Sequence, residues 1–427
     1  MASLLLLTLL LGCDPTVDPP VLDLRDDPVA YVEDPAYGRA ILERDLLSTD
    51  NLYAQKRLAM YAVEEGWGGL PERDPVTRPL ITADVQRLLD DQDPRLEAAP
   101  AASLVPEALP ETDADWIALG RRVFFEYPLR SDPTYTLLAG LEEGALEGVG
   151  FLRDGDQYVG LAAFQDGDRV RVGNTCAQCH ATADVDGFSG RLSNRTMDVG
   201  AARLRVMGLT PGDLPPELES TATADLDRLG PGRMDVLSDG AFNPYAIPDF
   251  GGLVDLPYLH HNANWHHRGV ATLAVRCETL FITSNSERTR IPRVLAWAFA
   301  RYVRSLAPPG PLLEVEDEEA FGEGEAIFAE SGCVDCHAPP LYTSDVQVEV
   351  DFVGTDPSAG ESEQRATGLY RVPSLRGVGR AAPYLHHGAF DSLEAMFDPD
   401  REEPGHPWGL ELDEGDRALL IGFLQRI

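Results

Sequence analysis

Apolar side chains return at helical spacing in several well separated stretches. In "DADWIALGRRVFFEYPLRSD" Trp116, Leu119, Val123 and Phe124 share one face, and Pro128 ends the pattern. In "IPRVLAWAFARYVRSLAPPGP" Pro292 occupies a first turn, Val294, Leu295, Ala298, Tyr302 and Leu306 line a face, and Pro308 with Pro309 closes it. "EEAFGEGEAIFAESG" predicts another helix, as does "NLYAQKRLAMYAVEEG" nearer the N-terminus. A last helix in "DEGDRALLIGFLQRI" starts at a capping Asp413 and buries Leu419, Leu420, Phe423 and Ile427. Alternating patterns are few, although "QYVGLAAFQDGDRVRVG" reads as a hairpin, so the chain is expected to be mainly α.

The 427 residues are enough for two or three domains, and 44% hydrophobic residues is an ordinary globular share. The proline cluster at 308–309 is the natural boundary. Residues from 14 to about 35 are rich in Pro and Asp without apolar periodicity and read as a tether. At the N-terminus the apolar run 4–11 is too short to span a bilayer. With Leu10, Leu11, Gly12 and Cys13 it resembles a bacterial lipoprotein signal, which implies lipidation at Cys13 and a membrane-anchored protein of the cell envelope.

Charge narrows the partners. The net charge of −36 argues against nucleic acid, because phosphate contacts need a basic face. Residues 311–427 carry 25 acidic against 7 basic side chains, an asymmetry that would steer a basic partner. Lys56 is the single lysine, so an arginine here is weak support for a special site.

The chemistry lies in "NTCAQCHATA" and "SGCVDCHAPP". At this chain's own frequencies the chance count of Cys-x-x-Cys-His is roughly 0.002, and it occurs twice. Two thiols one helical turn apart can both add to the vinyl groups of one haem, while the adjacent imidazole projects at the iron. Cys176, Cys179 and His180 would hold one haem c, and Cys333, Cys336 and His337 a second. Zinc would want four converging ligands. A thioredoxin-like disulfide would follow a strand in a βαβ unit, whereas the context here reads as helical. The expected organisation is a signal over 1–12, a tether and N-terminal helical extension over 13–110, and two cytochrome c-type haem domains in tandem over 111–310 and 311–427. Cys277 has no mate in either motif and reads as a buried structural thiol.

From about residue 113 onward the chain resembles the bacterial di-haem cytochrome c peroxidase superfamily, which includes the maturation enzymes of methylamine dehydrogenase. "LGRRVFF" resembles the helix before its first haem motif, "NWHHRGVATL" the stretch between the haems, and "GLYRVPSLRGVGRAAPYLHHGAF" a signature of its second domain. The resemblance implies that Trp265 lies between the haems and that one haem keeps an open side for peroxide. It further implies distal acids, for which Glu278 and Glu287 are the candidates. A sixth ligand of the second haem is expected from His406 or Met396, with His406 favoured. A calcium ion is implied between the domains, with the carbonyls of Ala381 and Pro383 as candidate ligands. His260, His261, His266 and His267 crowd eight positions and are candidates for a distal base, a resting ligand or a metal-binding loop.

Three functions stay open: a peroxidase or peroxidase-like oxidase drawing electrons from a small basic cytochrome c or cupredoxin, a pure electron carrier, and a di-haem oxygenase. The stretch 131–175 before the first motif is longer than the resemblance accounts for.

Overall fold

A computed structural model describes residues 24–60, 70–90, 101–185, 187–237, 240–284 and 289–427. Cys13 and Glu287 lie outside these residues. Helices hold about 41% of the structure and strands about 15%.

Thr112 caps the helix Asp113–Glu126 by accepting from the Asp115 amide, and the Asp115 carboxylate returns the bond. This helix crosses Arg293–Ser305 at Gly120, where an added Cβ would stand 1.9 Å from the Ala298 carbonyl oxygen. The second half repeats the device. Asp317 caps Glu318–Glu330, Asp413 caps Glu414–Leu424, and the two helices meet at Gly324, whose Cβ would stand 2.5 Å from the Leu419 carbonyl oxygen. Leu420, Ile421, Phe423 and Leu424 are the buried side of that last helix, while Leu419 and Ile427 are only half-buried. The face sits slightly off the expected one, and at Gly324 Leu419 contributes its backbone carbonyl to the contact.

Between the first helix and the first motif the chain builds a sheet that periodicity under-reported. β4 (Gln157–Asp166) and β5 (Arg169–Asn174) form the expected antiparallel hairpin. Three further strands join them: β1 (Thr77–Ile81) beside β4, β2 (Arg130–Ser131) beside β5, and β3 (Arg153–Asp154) on the end of β4. β4 is buried on both faces, Val159 in one core cluster and Tyr158, Leu161 and Ala163 in another, so its sequence shows an apolar run rather than alternation. The first motif follows β5 directly, which corrects the expectation of a helical context. The sheet is antiparallel, however, and no βαβ unit is present here.

The expected tether is also corrected for residues 24–35, which fold onto the core. The Asp26 carboxylate accepts from the amides of Val270 and Ala271, both at 2.9 Å, and so caps the helix Val270–Ser284. Asp27 and Asp34 cap the helices Pro28–Glu33 and Pro35–Asp45. Tyr31 is fully buried against Trp297. One cluster therefore joins Tyr31, Ile41, Leu42 and Tyr53 to Trp265 and Trp297, whereas the cluster around Phe328, Tyr384, Leu420 and Phe423 lies wholly after Pro309.

Gly120→Ala is expected to force the crossing helices apart and to destabilise the protein by about 1 to 3 kcal/mol, read as a lowered thermal midpoint, while Gly310→Ala, at a site with nothing near its Cβ, leaves the packing between these helices intact.

Candidate haem sites

Both motif histidines are held in the same way. His180 ends the short helix Ala177–His180, which packs on β4 at Gly160, where a Cβ would fall 2.0 Å from the Gln178 amide nitrogen and where φ is +85°. Its Nδ1 lies 2.9 Å from the Pro248 carbonyl oxygen, and its ring stacks on Phe250 at 4.3 Å. In the second motif His337 Nδ1 is 3.1 Å from the carbonyls of both Tyr342 and Pro373. A carbonyl only accepts, so Nδ1 carries the proton and Nε2 is left with a bare lone pair. Burial lowers the pKa of both imidazoles, that of His180 to about 4, which keeps them neutral and able to bind a metal. Burial also pushes the thiols of Cys176 and Cys179 up to about 12 and that of Cys333 to about 11, so they are poor redox nucleophiles at neutral pH. Among the described residues no three His, Cys, Asp or Glu side chains converge as a metal-ion site, which disfavours zinc.

The second motif lines a cavity of about 420 Å³. Cys333, Cys336 and His337 stand on it together with Met396, His406 and Trp408. The rings of His337 and His406 are 6.5 Å apart. Two metal–nitrogen bonds of about 2.0 Å and two imidazole radii of roughly 1.1 Å span about the same distance. His406 has φ +46°, an uncommon conformation for a non-glycine residue, and its buried Nδ1 has no partner. The loop is held by the Val353 carbonyl, which accepts from the His406 amide, and by Arg401, which donates to the Gly405 and His406 carbonyls. Met396 ends the short helix Leu393–Met396 and packs into the second core cluster.

Both sites contain cations without anionic partners. Arg276, Arg365 and Arg371 form no ion pair with a carboxylate among the described residues. Burial lowers the pKa of Arg371 to about 10, still charged at neutral pH, and lowers that of Arg365. An unpaired buried cation costs several kcal/mol. Each haem brings two propionate carboxylates, which would supply the missing charge, so the thiols, the neutral imidazoles and these arginines together fit the group. The sequence offered no signal for them, since all but one of its basic residues are arginine.

Trp265 is fully buried and donates from Nε1 to the Tyr53 hydroxyl at 2.9 Å. Tyr53 comes from the N-terminal extension and is flanked by Arg57 at 3.2 Å and Arg365 at 5.0 Å from its ring centre. Burial raises its pKa, but the nearby arginines outweigh that effect and the net shift is downward. The four crowded histidines do not converge, which corrects their reading as one site. His260 turns inward, its Nε2 accepting from Arg276 at 2.8 Å, while His261 lines the second cavity. His266 packs on Tyr258, and His267 lies between the Leu256 carbonyl and Arg304.

Glu278 is a core carboxylate rather than a free distal acid. It is fully buried, accepts from the Tyr31 hydroxyl at 2.8 Å and lies 3.6 Å from Arg293. The Ala381 carbonyl, a candidate calcium ligand, accepts from Arg195 instead at 3.3 Å. Cys277 is buried, and its thiol is raised well above its ordinary pKa by that burial.

No family model matches the chain. It is 28% identical to the methylamine utilization protein MauG of Methylorubrum extorquens over 146 residues, which is 30% of this chain and 41% of that protein. To the cytochrome c551 peroxidase of Nitrosomonas europaea it is 26% identical over 222 residues, 48% of this chain and 63% of that one. The matches thus span from about two fifths to just under two thirds of these relatives' lengths. A solved MauG-like protein associated with microbial copper homeostasis aligns with a TM-score of 0.38 at 15% identity, covering 75% of this chain and 90% of its own.

Burial raises the pKa of Glu278 to about 7 despite Arg293 and Arg290. Because the unfolded carboxyl ionises first, stability attached to this group is full below about pH 4.5 and falls as pH rises to about 7. Glu278→Gln should therefore gain on wild type by roughly 3 kcal/mol across that window, measured by denaturant unfolding at each pH.

Proposed function

The chain belongs to the di-haem cytochrome c peroxidase superfamily, and from that premise we propose that it holds two covalent c-type haems and uses them to reduce hydrogen peroxide, with the first haem as the reacting site. The observation that carries this reading is the asymmetry between the two motifs. His337 faces His406 at a two-ligand spacing, whereas His260, a candidate for the first site, has both nitrogens engaged, by Arg276 and by the Asn264 side-chain oxygen. A haem held on both sides suits electron storage, and one held on a single side suits reaction with an oxidant.

When bound, the haems supply the redox chemistry and the open coordination position. The chain's own residues do the rest. The thiols of Cys176 and Cys179, and of Cys333 and Cys336, anchor them. Pro248, Tyr342 and Pro373 orient the imidazoles, and the unpaired arginines receive the propionates. His406, in preference to Met396, would be the second side chain holding the iron of the second haem. Reduction of one hydrogen peroxide to two waters consumes two electrons and two protons. Trp265, its indole held by the Tyr53 hydroxyl, would serve as an aromatic step for electrons between the haems.

The donor in this reading is a small basic redox protein, a cytochrome c or a cupredoxin. It would approach the second site, where Phe352, 63% exposed, packs on Trp408 at the cavity edge beside the exposed Glu349, Asp351, Glu402 and Glu403. Its rate of electron delivery should fall with added salt. Lipidation at Cys13 would hold the protein at the cell envelope. Among the described residues no helix is long and apolar enough to cross a membrane.

Holoprotein reduced by one electron should show one high-spin and one low-spin haem, and mixing with hydrogen peroxide should bleach and shift the high-spin bands. Two low-spin haems with no peroxide response would leave an electron carrier. His406→Ala should convert the second haem to high spin, while Met396→Ala leaves it low spin. After denaturation, alkylation should reach Cys277 but spare Cys176, Cys179, Cys333 and Cys336.

A further inference from the structure

Among the described residues, Arg195 touches the surroundings of both candidate haem sites. Arg195 donates from one terminal nitrogen to the Ile247 carbonyl at 2.5 Å. Its other terminal nitrogen donates to both oxygens of Asp249 at 2.9 Å and to the Ala381 carbonyl at 3.3 Å. Ile247 and Asp249 flank Pro248, whose carbonyl takes the His180 proton. Ser193 reinforces the same turn, its amide bonding Asp249 and its hydroxyl the Ile247 carbonyl. Ala381 belongs to the second domain and, with Arg195 and Asp249, lines the second cavity.

A calcium ion needs six to eight oxygens at about 2.3 to 2.6 Å. Here both Asp249 oxygens and the Ala381 carbonyl are already committed to a guanidinium, so these residues do not fit that ion. A guanidinium presents five donors in a planar fork and remains charged at every physiological pH. It can therefore gather the same carbonyl and carboxylate oxygens that a divalent cation would gather.

We propose that Arg195, paired with Asp249, is the resident cation of the domain junction, taking the place of calcium and acting as a positioning residue that holds Pro248 against His180. The proposal rests on the haem reading above only for its spectroscopic arm. The two domains are joined at this point by a covalently attached side chain, which neither chelators nor calcium depletion can remove. Arg195 also places a positive charge beside the turn that orients His180.

The test uses the haem-loaded full chain. The wild-type thermal midpoint and haem spectrum should be unchanged by excess EGTA and by millimolar calcium. Arg195→Gln should lower the midpoint by about 5 to 10 °C, lower the reduction potential of the first haem, since a nearby positive charge is lost, and alter that haem's EPR signal. Arg195→Lys keeps the charge but not the fork, and should hold the potential while still perturbing the EPR signal through the loosened Pro248 turn. A wild-type midpoint that falls in EGTA and recovers with calcium overturns the proposal, whatever the variants do. So does an Arg195→Gln protein whose first-haem potential and EPR match wild type. Failure of the peroxide reaction alone would count against the peroxidase reading and leave this one standing.

Discussion

A carbonyl that accepts from a histidine's Nδ1–H keeps the proton there and leaves Nε2 bare, and the fold supplies such acceptors to both motif histidines. Pro248 plays that part for His180, and Tyr342 with Pro373 plays it for His337. These acceptors are backbone carbonyls, distant in sequence from the motifs or outside any regular element, so their positions are set by the packing around them. The Pro248 turn is fastened by Arg195, Asp249 and Ser193, and the Pro373 segment leaves the hairpin formed by Gln347–Glu349 and Leu369–Arg371. Tertiary structure thereby fixes the tautomer of each motif histidine.

The helix pairs make these cavities durable. In each half, two helices cross so closely that glycine is required at the contact, Gly120 in one and Gly324 in the other. Such close contact leaves the rest of each half free to wrap around a space rather than fill it. Arg371 lines the second cavity, while Arg276 bonds His260 and Arg365 lies over Tyr53, as cations that a filled apolar core would not tolerate without partners. A cofactor with carboxylates would relieve that cost and so couple its occupancy to the stability of the fold.

The first half differs from the second by what lies between its opening helix and its motif. The long stretch 131–175 forms most of a five-stranded sheet, and the N-terminal extension contributes β1, the cap at Asp26 and Tyr53 beside Trp265. The extension is therefore part of the first core. This arrangement places the 258–267 segment between the halves, with His261 on the second cavity and His260 on Arg276, whose charge is felt at Cys176 and His180.

Spacing alone marked the candidate haem-binding positions, because thioether attachment and iron ligation would be local chemistry confined to five consecutive residues. The amphipathic helices at 113–126, 293–305, 318–330 and 414–424 were legible for a similar reason, since each buries a face repeated every three or four residues. The strands β1 and β2 were not, because two to five residues paired across long loops leave little periodicity. Nor could the sequence say that His260, His261, His266 and His267 would point to different places, that Glu278 would be tied to Tyr31 and Arg293, or that Arg195 would occupy the domain junction. Those outcomes depend on which distant carbonyls and carboxylates each side chain meets. A chain determines its covalent chemistry residue by residue, but the charge, tautomer and partner of a buried group are decided only when the fold removes water from around it.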